Sequence, residues 1–253
     1  MLRTLLARAG FFAMGAIYGA IGLVAARIAF LGASGRVAGM PGALRFILRQ
    51  RHGPVFLRAV VVGLVGFTLW HLAEAARSRP RRGILVRAGH VLAAIGYAAV
   101  AWTGTHLLLR LRVESSATSR RGLAWLLSQS WGGAALTLAG VIVLLCAAEQ
   151  VWEAWSGRLR ERFHARRMGR RASRFALSVA RFGLASRGVV FGIVGWFLIR
   201  TARENDPSQF REIGGALAVL SKTPAGPWLM GIAGLGLVAF AFYMWTLAVF
   251  RKS

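Results

Sequence analysis

An all-α, polytopic membrane fold is what the sequence predicts: six transmembrane helices arranged as three two-helix repeats, with short interfacial helices, about a pseudo-threefold axis. The hydrophobic share, 56% over 253 residues, exceeds the roughly 45–50% usual for soluble globular chains. The apolar residues fall into runs long enough to cross a bilayer, and those runs recur as matched pairs. Water is therefore not the expected solvent for this fold.

A helix that crosses the hydrocarbon core needs about 20 largely apolar residues. Six stretches meet or approach that length: residues 9–31, 54–76, 87–109, 132–155, 182–202 and 227–250. Their glycines would weaken a helix in water, but in a bilayer small residues let backbones approach closely. Gly15, Gly19 and Gly22 on the first span, and Gly188, Gly192 and Gly195 on the fifth, recur at spacings of four and three. This predicts one small-residue packing face on each helix. The first span is longer than the apolar region of a usual signal peptide and has two internal copies, so it is expected to be retained.

The formal net charge is +25. In a soluble chain that balance would suggest nucleic acid, but here the arginines sit between apolar runs, and no groove-reading motif or base-stacking aromatic cluster accompanies them. The charge is read as topology. The N-terminal end, the second-to-third and fourth-to-fifth loops and the C-terminus carry more Lys and Arg than the opposite side, which places both termini in the cytoplasm. The arginine-rich stretch from Leu159 to Arg174 contributes most to that bias. Loops of this kind are expected to meet anionic lipid headgroups. The single cysteine, Cys146, excludes an internal disulfide and a cysteine-based metal site.

A gap-free shift that carries Arg8-Ala9-Gly10 onto Arg87-Ala88-Gly89 also superposes Tyr18 on Tyr97, Leu44 on Leu123, Gly53 on Gly132 and Glu74-Ala75 on Glu153-Ala154. A second carries Arg8 onto Arg181, Gly22 onto Gly195, Arg27 onto Arg200, Gly42-Ala43-Leu44 onto Gly215-Ala216-Leu217, Gly53-Pro54 onto Gly226-Pro227 and Phe67 onto Phe240. The units are residues 1–80, 80–159 and 174–253, with a basic cytoplasmic insertion over 159–173. Each reads as span, short amphipathic segment, span. An even number of spans gives all three units one orientation, so a symmetry axis would run along the membrane normal. The short segments near 41–50, 120–129 and 213–222 carry apolar residues at helical spacing and are expected in the outer interface, where Trp125, Trp131 and Trp228 suit an aromatic belt.

The repeated Arg-x-Gly opening, the glycine-spaced odd helix with Tyr18, Tyr97 or Phe191, the Gly-Ala-Leu or Gly-Leu segment, and the even helix ending Gly66-Phe-Thr-Leu-Trp70-His-Leu-Ala-Glu74-Ala together resemble a bacterial membrane family, domain of unknown function 1206. The resemblance covers all three units. The third departs from it, with Tyr243 and Leu247 where Trp70 and Glu74 stand in the first. It implies a six-helix protein of the bacterial inner membrane and supplies no activity.

Ionisable residues within spans are costly and often functional, and three sets stand out. Arg8, Arg87 and Arg181 open the odd helices, and Glu74 and Glu153 close even helices at the same side. These five form a candidate ion-pair clamp that fixes register, with a gate or simple solvated charge as alternatives. Arg27, His106 and Arg200, equivalent under the two shifts, form a candidate outer basic ring for an anion; the plainer reading is that each snorkels to the headgroups. Glu149 is the candidate intramembrane titrating or substrate-contacting group, with Arg187, unique to the third unit, as its candidate partner and His71 on the neighbouring even helix; the plainer reading of Glu149 is an interhelical hydrogen bond. His71 with Glu74, and Glu149 with Glu153, share helix faces, but the carboxylate and histidine pattern of a di-metal bundle is absent. His90 and His52 are read as solvated. No phosphate-binding loop, nucleophile elbow or zinc-protease motif occurs, so neither cofactor, metal nor enzymatic activity is expected. The sequence therefore points to a membrane scaffold or envelope-associated factor, with a solute or ion transporter using the central axis as the alternative.

Overall fold

The structure, a computed structural model, describes residues 2–32, 39–77, 84–109, 115–156, 159 and 170–250. Its elements are α1 (Leu2–Leu31), α2 (Met40–Leu48), α3 (Gly53–Arg77), α4 (Ile84–Leu108), α5 (Ser115–Leu127), α6 (Gly132–Trp155), α7 (Arg170–Glu204), a 3₁₀ turn (Pro207–Gln209), α8 (Ile213–Leu220) and α9 (Gly226–Phe250). No strand occurs among the described residues. Six helices, α1, α3, α4, α6, α7 and α9, are long and apolar enough to cross a membrane, matching the six spans read from sequence. Helix α7 starts at Arg170, inside the expected basic insertion; residues 160–169 of that insertion lie outside the described set.

The six long helices form a ring whose neighbours follow chain order. Extensive contact joins α1 to α3, α3 to α4, α6 to α7, α7 to α9 and α9 back to α1, whereas α4 and α6 touch only sparsely. Glycine explains the tight joints. A Cβ on Gly22 of α1 would strike the Gly234 carbonyl and Val238 of α9. On the α6/α7 interface, a Cβ on Gly140 would lie 3.0 Å from the Gly195 carbonyl, and one on Gly188 3.0 Å from the Ala147 carbonyl. The two glycine faces expected on α1 and α7 are thus packing faces, except that Gly192 meets nothing within 4 Å. Outward-facing side chains such as Val62, Ile95, Leu138 and Phe242 are exposed, an apolar surface far larger than a soluble monomer leaves uncovered.

The connection into each even helix is built the same way in all three units. Gly53, Gly132 and Gly226 donate their N–H groups to the carbonyls of Gln50, Gln129 and Thr223 at 2.8, 2.9 and 2.8 Å. In each turn a Cβ would collide with a carbonyl at the end of the preceding helix, that of Leu48, Leu126 or the C-cap Ser221, so glycine is required there.

The interfacial helices differ. Helices α2 and α8 bury Leu44 and Leu217 completely, while α5 leaves the equivalent Leu123 only partly covered. Because α4 and α6 do not close on each other, α5 lacks the groove that its counterparts fill. The three interfaces expected to be equal are unequal, and the second unit is the open one.

Candidate functional site

An arginine in a transmembrane helix must replace its hydration shell with protein hydrogen bonds or aromatic faces. Arg187, on α7, does both inside the ring. Its Nη1 donates to Gln150 Oε1 of α6 at 2.5 Å. The guanidinium carbon lies 4.4 Å from the Phe191 ring centroid, 4.8 Å from that of Phe240 on α9 and 5.2 Å from that of Tyr18 on α1. His71 of α3, Tyr97 of α4 and Cys146 of α6 stand within electrostatic range. All six long helices therefore contribute to the surroundings of one charge. No ion pair joins Arg187 to a carboxylate among the described residues, and its Nε has no hydrogen-bond partner.

The repeat register explains how these side chains converge. Tyr18, Tyr97 and Phe191 are equivalent positions of the three units, as are Phe67, Cys146 and Phe240, and His71 with Gln150. The position of Arg187 is held by Met14 and Ala93 in the other two units. Met14 and Tyr18 are wholly buried, while Arg187, Tyr97, His71 and Gln150 each keep part of their surface accessible although they face the interior. A polar, partly open centre flanked by aromatic rings results.

On the α3/α4 side the centre continues into an aromatic and imidazole cluster. His71 Nδ1 and His90 Nδ1 are 3.0 Å apart, so one ring donates and the other accepts. Phe67 and Trp70 stack with centroids 5.5 Å apart, and His71 packs at 5.2 Å from the Tyr97 ring. His90, read from sequence as solvated, is half-buried and hydrogen-bonded instead, because α4 turns that face toward α3.

Glu149, expected beside Arg187, is exposed; Gln150, one residue on and so about 100° around the helix, takes its place. Glu153 is buried and Glu74 half-buried, while Arg87 is exposed. Arg8 and Arg181 bury Nε atoms that have no hydrogen-bond partner. In the outer set Arg27 is exposed, Arg200 binds Glu204 of its own helix at 2.7 Å, and His106 packs on Trp102 with centroids 4.4 Å apart. Among the described residues no hydrogen bond or ion pair joins these three. Sequence reasoning missed Gln150 and the convergence of Tyr18, Tyr97 and Phe191; their shared register was the signal that could have found them. No cluster of three or more His, Cys, Asp or Glu residues suited to a metal occurs among the described residues.

The sequence profile of the family described as Domain of Unknown Function (DUF1206) matches residues 9–78 and 182–251, together more than half of the chain and corresponding to the first and third units. A Bacillus subtilis (strain 168) protein, described as the uncharacterized protein YxxB, is 27% identical over 241 residues, covering 93% of this chain and 86% of its own. No solved structure matches.

Proposed function

The chain belongs to the family described as Domain of Unknown Function (DUF1206), and from that premise we propose that it is a multi-pass transport protein of the bacterial inner membrane, with both termini cytoplasmic, whose substrate is an anion contacted by Arg187. The observation that carries the reading is a guanidinium inside the helix ring, supported by an amide and three aromatic rings and by no carboxylate ion pair among the described residues. An arginine at mid-helix costs about 2.5–3.5 kcal/mol on insertion scales. A purely structural bundle gains nothing from that cost, whereas a protein that must attract an anion into the bilayer does. Gln150 orients the guanidinium from one side and the aromatic rings flank it; Nε is buried, so the remaining terminal N–H groups of the fork are the ones left for a ligand.

A scaffold reading keeps one specific support, the glycine-sealed α1/α9 and α6/α7 interfaces, which favour a rigid body. The two readings separate in proteoliposomes. Chloride, sulfate, inorganic phosphate and a fluorescent anionic lipid would be followed across the bilayer for the wild type and for Arg187→Met. Movement of at least one of them, reduced about tenfold or more by the loss of one charge-assisted contact, is expected. Movement of none, or movement indifferent to the substitution, would return the protein to the scaffold class.

A further inference from the structure

Resting on the reading of Arg187 as an anion-contacting group, we infer that the seam between α4 and α6 admits an anionic phospholipid from the bilayer, with its phosphate at Arg187 and its acyl chains along the small-residue face of α4. Every other joint of the ring is closed by extensive packing, and this one is not. Gly89, Ala93, Gly96 and Val100 fall on one face of α4 at helical spacing. A Cβ on Gly89 or on Gly96 would meet nothing within 4 Å, in contrast to the glycines of the closed joints, whose added Cβ would strike a neighbouring backbone. The face is small and unfilled.

The polar end of that seam is the arginine centre. Tyr97 on α4 and Gln150 on α6 remain partly accessible and Cys146 on α6 is exposed; Gln150 is hydrogen-bonded to the guanidinium, and Tyr97 and Cys146 stand within electrostatic range of it. Guanidinium binds phosphate through two parallel hydrogen bonds and tolerates a weakly hydrated setting better than an ammonium does. Helical side chains tilt toward the N-terminus of their own helix, so Arg187 leans toward the end of the ring that carries the chain termini. Its partner Gln150 lies only about 8 Å along the axis from the end of α6 at Trp155. The charge is thus within reach of a headgroup of the leaflet on that side, drawn inward by a single arginine. A small inorganic anion would gain nothing from a seam that opens to lipid. A zwitterionic headgroup would bring its own cation against the guanidinium, so the site selects net negative charge.

The only cysteine in the chain, Cys146, sits where the inference can be read. The intact protein, labelled there with a small bimane fluorophore in detergent, would be titrated with phosphatidylglycerol or phosphatidylcholine carrying brominated acyl chains. Saturable quenching by the anionic lipid at a concentration about tenfold lower than by the zwitterionic one is expected, the scale of one charge-assisted contact. Arg187→Met should erase that difference, and Gly96→Phe should weaken quenching by both lipids while altering no charge. Equal curves for the two lipids, selectivity that survives Arg187→Met (adsorption to the basic loops), or a Gly96→Phe protein that behaves as wild type would each overturn the inference. Gly96→Phe carries the test alone if the arginine variant loses monodispersity. Soluble-anion flux that depends on Arg187 without lipid selectivity would sink this inference and leave the transport reading standing.

Discussion

A guanidinium without a counter-charge is held inside a bundle only by groups that accept its protons or offer it π-electrons, and each such group is a constraint on the fold. Arg187 has one amide and three rings, while the equivalent position in the first unit is a fully buried Met14. Arg187→Met therefore has a precedent for its shape in the same molecule. Even a buried ion pair is often replaced by well-packed apolar side chains at no cost or with a gain of about 1–4 kcal/mol; Arg187 bears the desolvation cost without such a pair, and the variant is expected to melt several degrees higher in detergent while losing anion handling. A lower melting temperature would show the arginine to be a keystone of packing and not a functional cost. The sequence singled out Arg187 as peculiar to the third unit but gave it the wrong neighbour. Helix α6 is apolar nearly all round, so nothing in its pattern fixes whether Glu149 or Gln150 turns inward. One residue of phase decides between a carboxylate partner and an amide.

At the level of elements, the spans were legible because a bilayer imposes length and apolarity together, and both are visible without coordinates. The packing faces were legible from glycine spacing for a related reason: only a missing side chain permits the α1/α9 and α6/α7 approach. The same argument makes two opposite predictions for two glycines. Gly22→Leu places a side chain into the Gly234 carbonyl and Val238 and should destabilise the protein by about 1–3 kcal/mol, the usual cost of overpacking. Gly192→Ala meets open space and should be neutral or stabilise α7 by up to about 1 kcal/mol through helix propensity. Thermal denaturation of both variants in one detergent checks the pair; similar losses would mean that Gly192 is packed against a surface such as bound lipid. His90 was misread because a histidine near a helix end satisfies the same pattern whether it meets water or a second imidazole.

At the scale of the molecule, the register alone led to three equal interfaces. The ring has five close joints and one sparse one, and the loose joint lies within the second unit, outside the two segments that the family profile matches. Sequence identity between units could reveal common ancestry of turns, such as those at Gly53, Gly132 and Gly226, but not the loss of a helix contact, which depends on the sum of many small side-chain choices along α4 and α6. Orientation belongs to this scale as well. A reporter fused to the C-terminus should be active only if it functions in the cytoplasm, given the basic bias of the loops on that side; a reporter active only outside would invert the assignment and with it the leaflet that Arg187 faces.

One of three positions equivalent in sequence register carries a cation, and the other two carry methionine and alanine. An assembly of three identical two-helix subunits has no such freedom, since any residue it places there appears three times. Three guanidinia crowded at one point in hydrocarbon would repel one another, and none at all would leave nothing to attract a ligand. Joining the copies into a single polypeptide removes that all-or-nothing choice, so covalent linkage is what lets only one of three register-equivalent positions carry a charge.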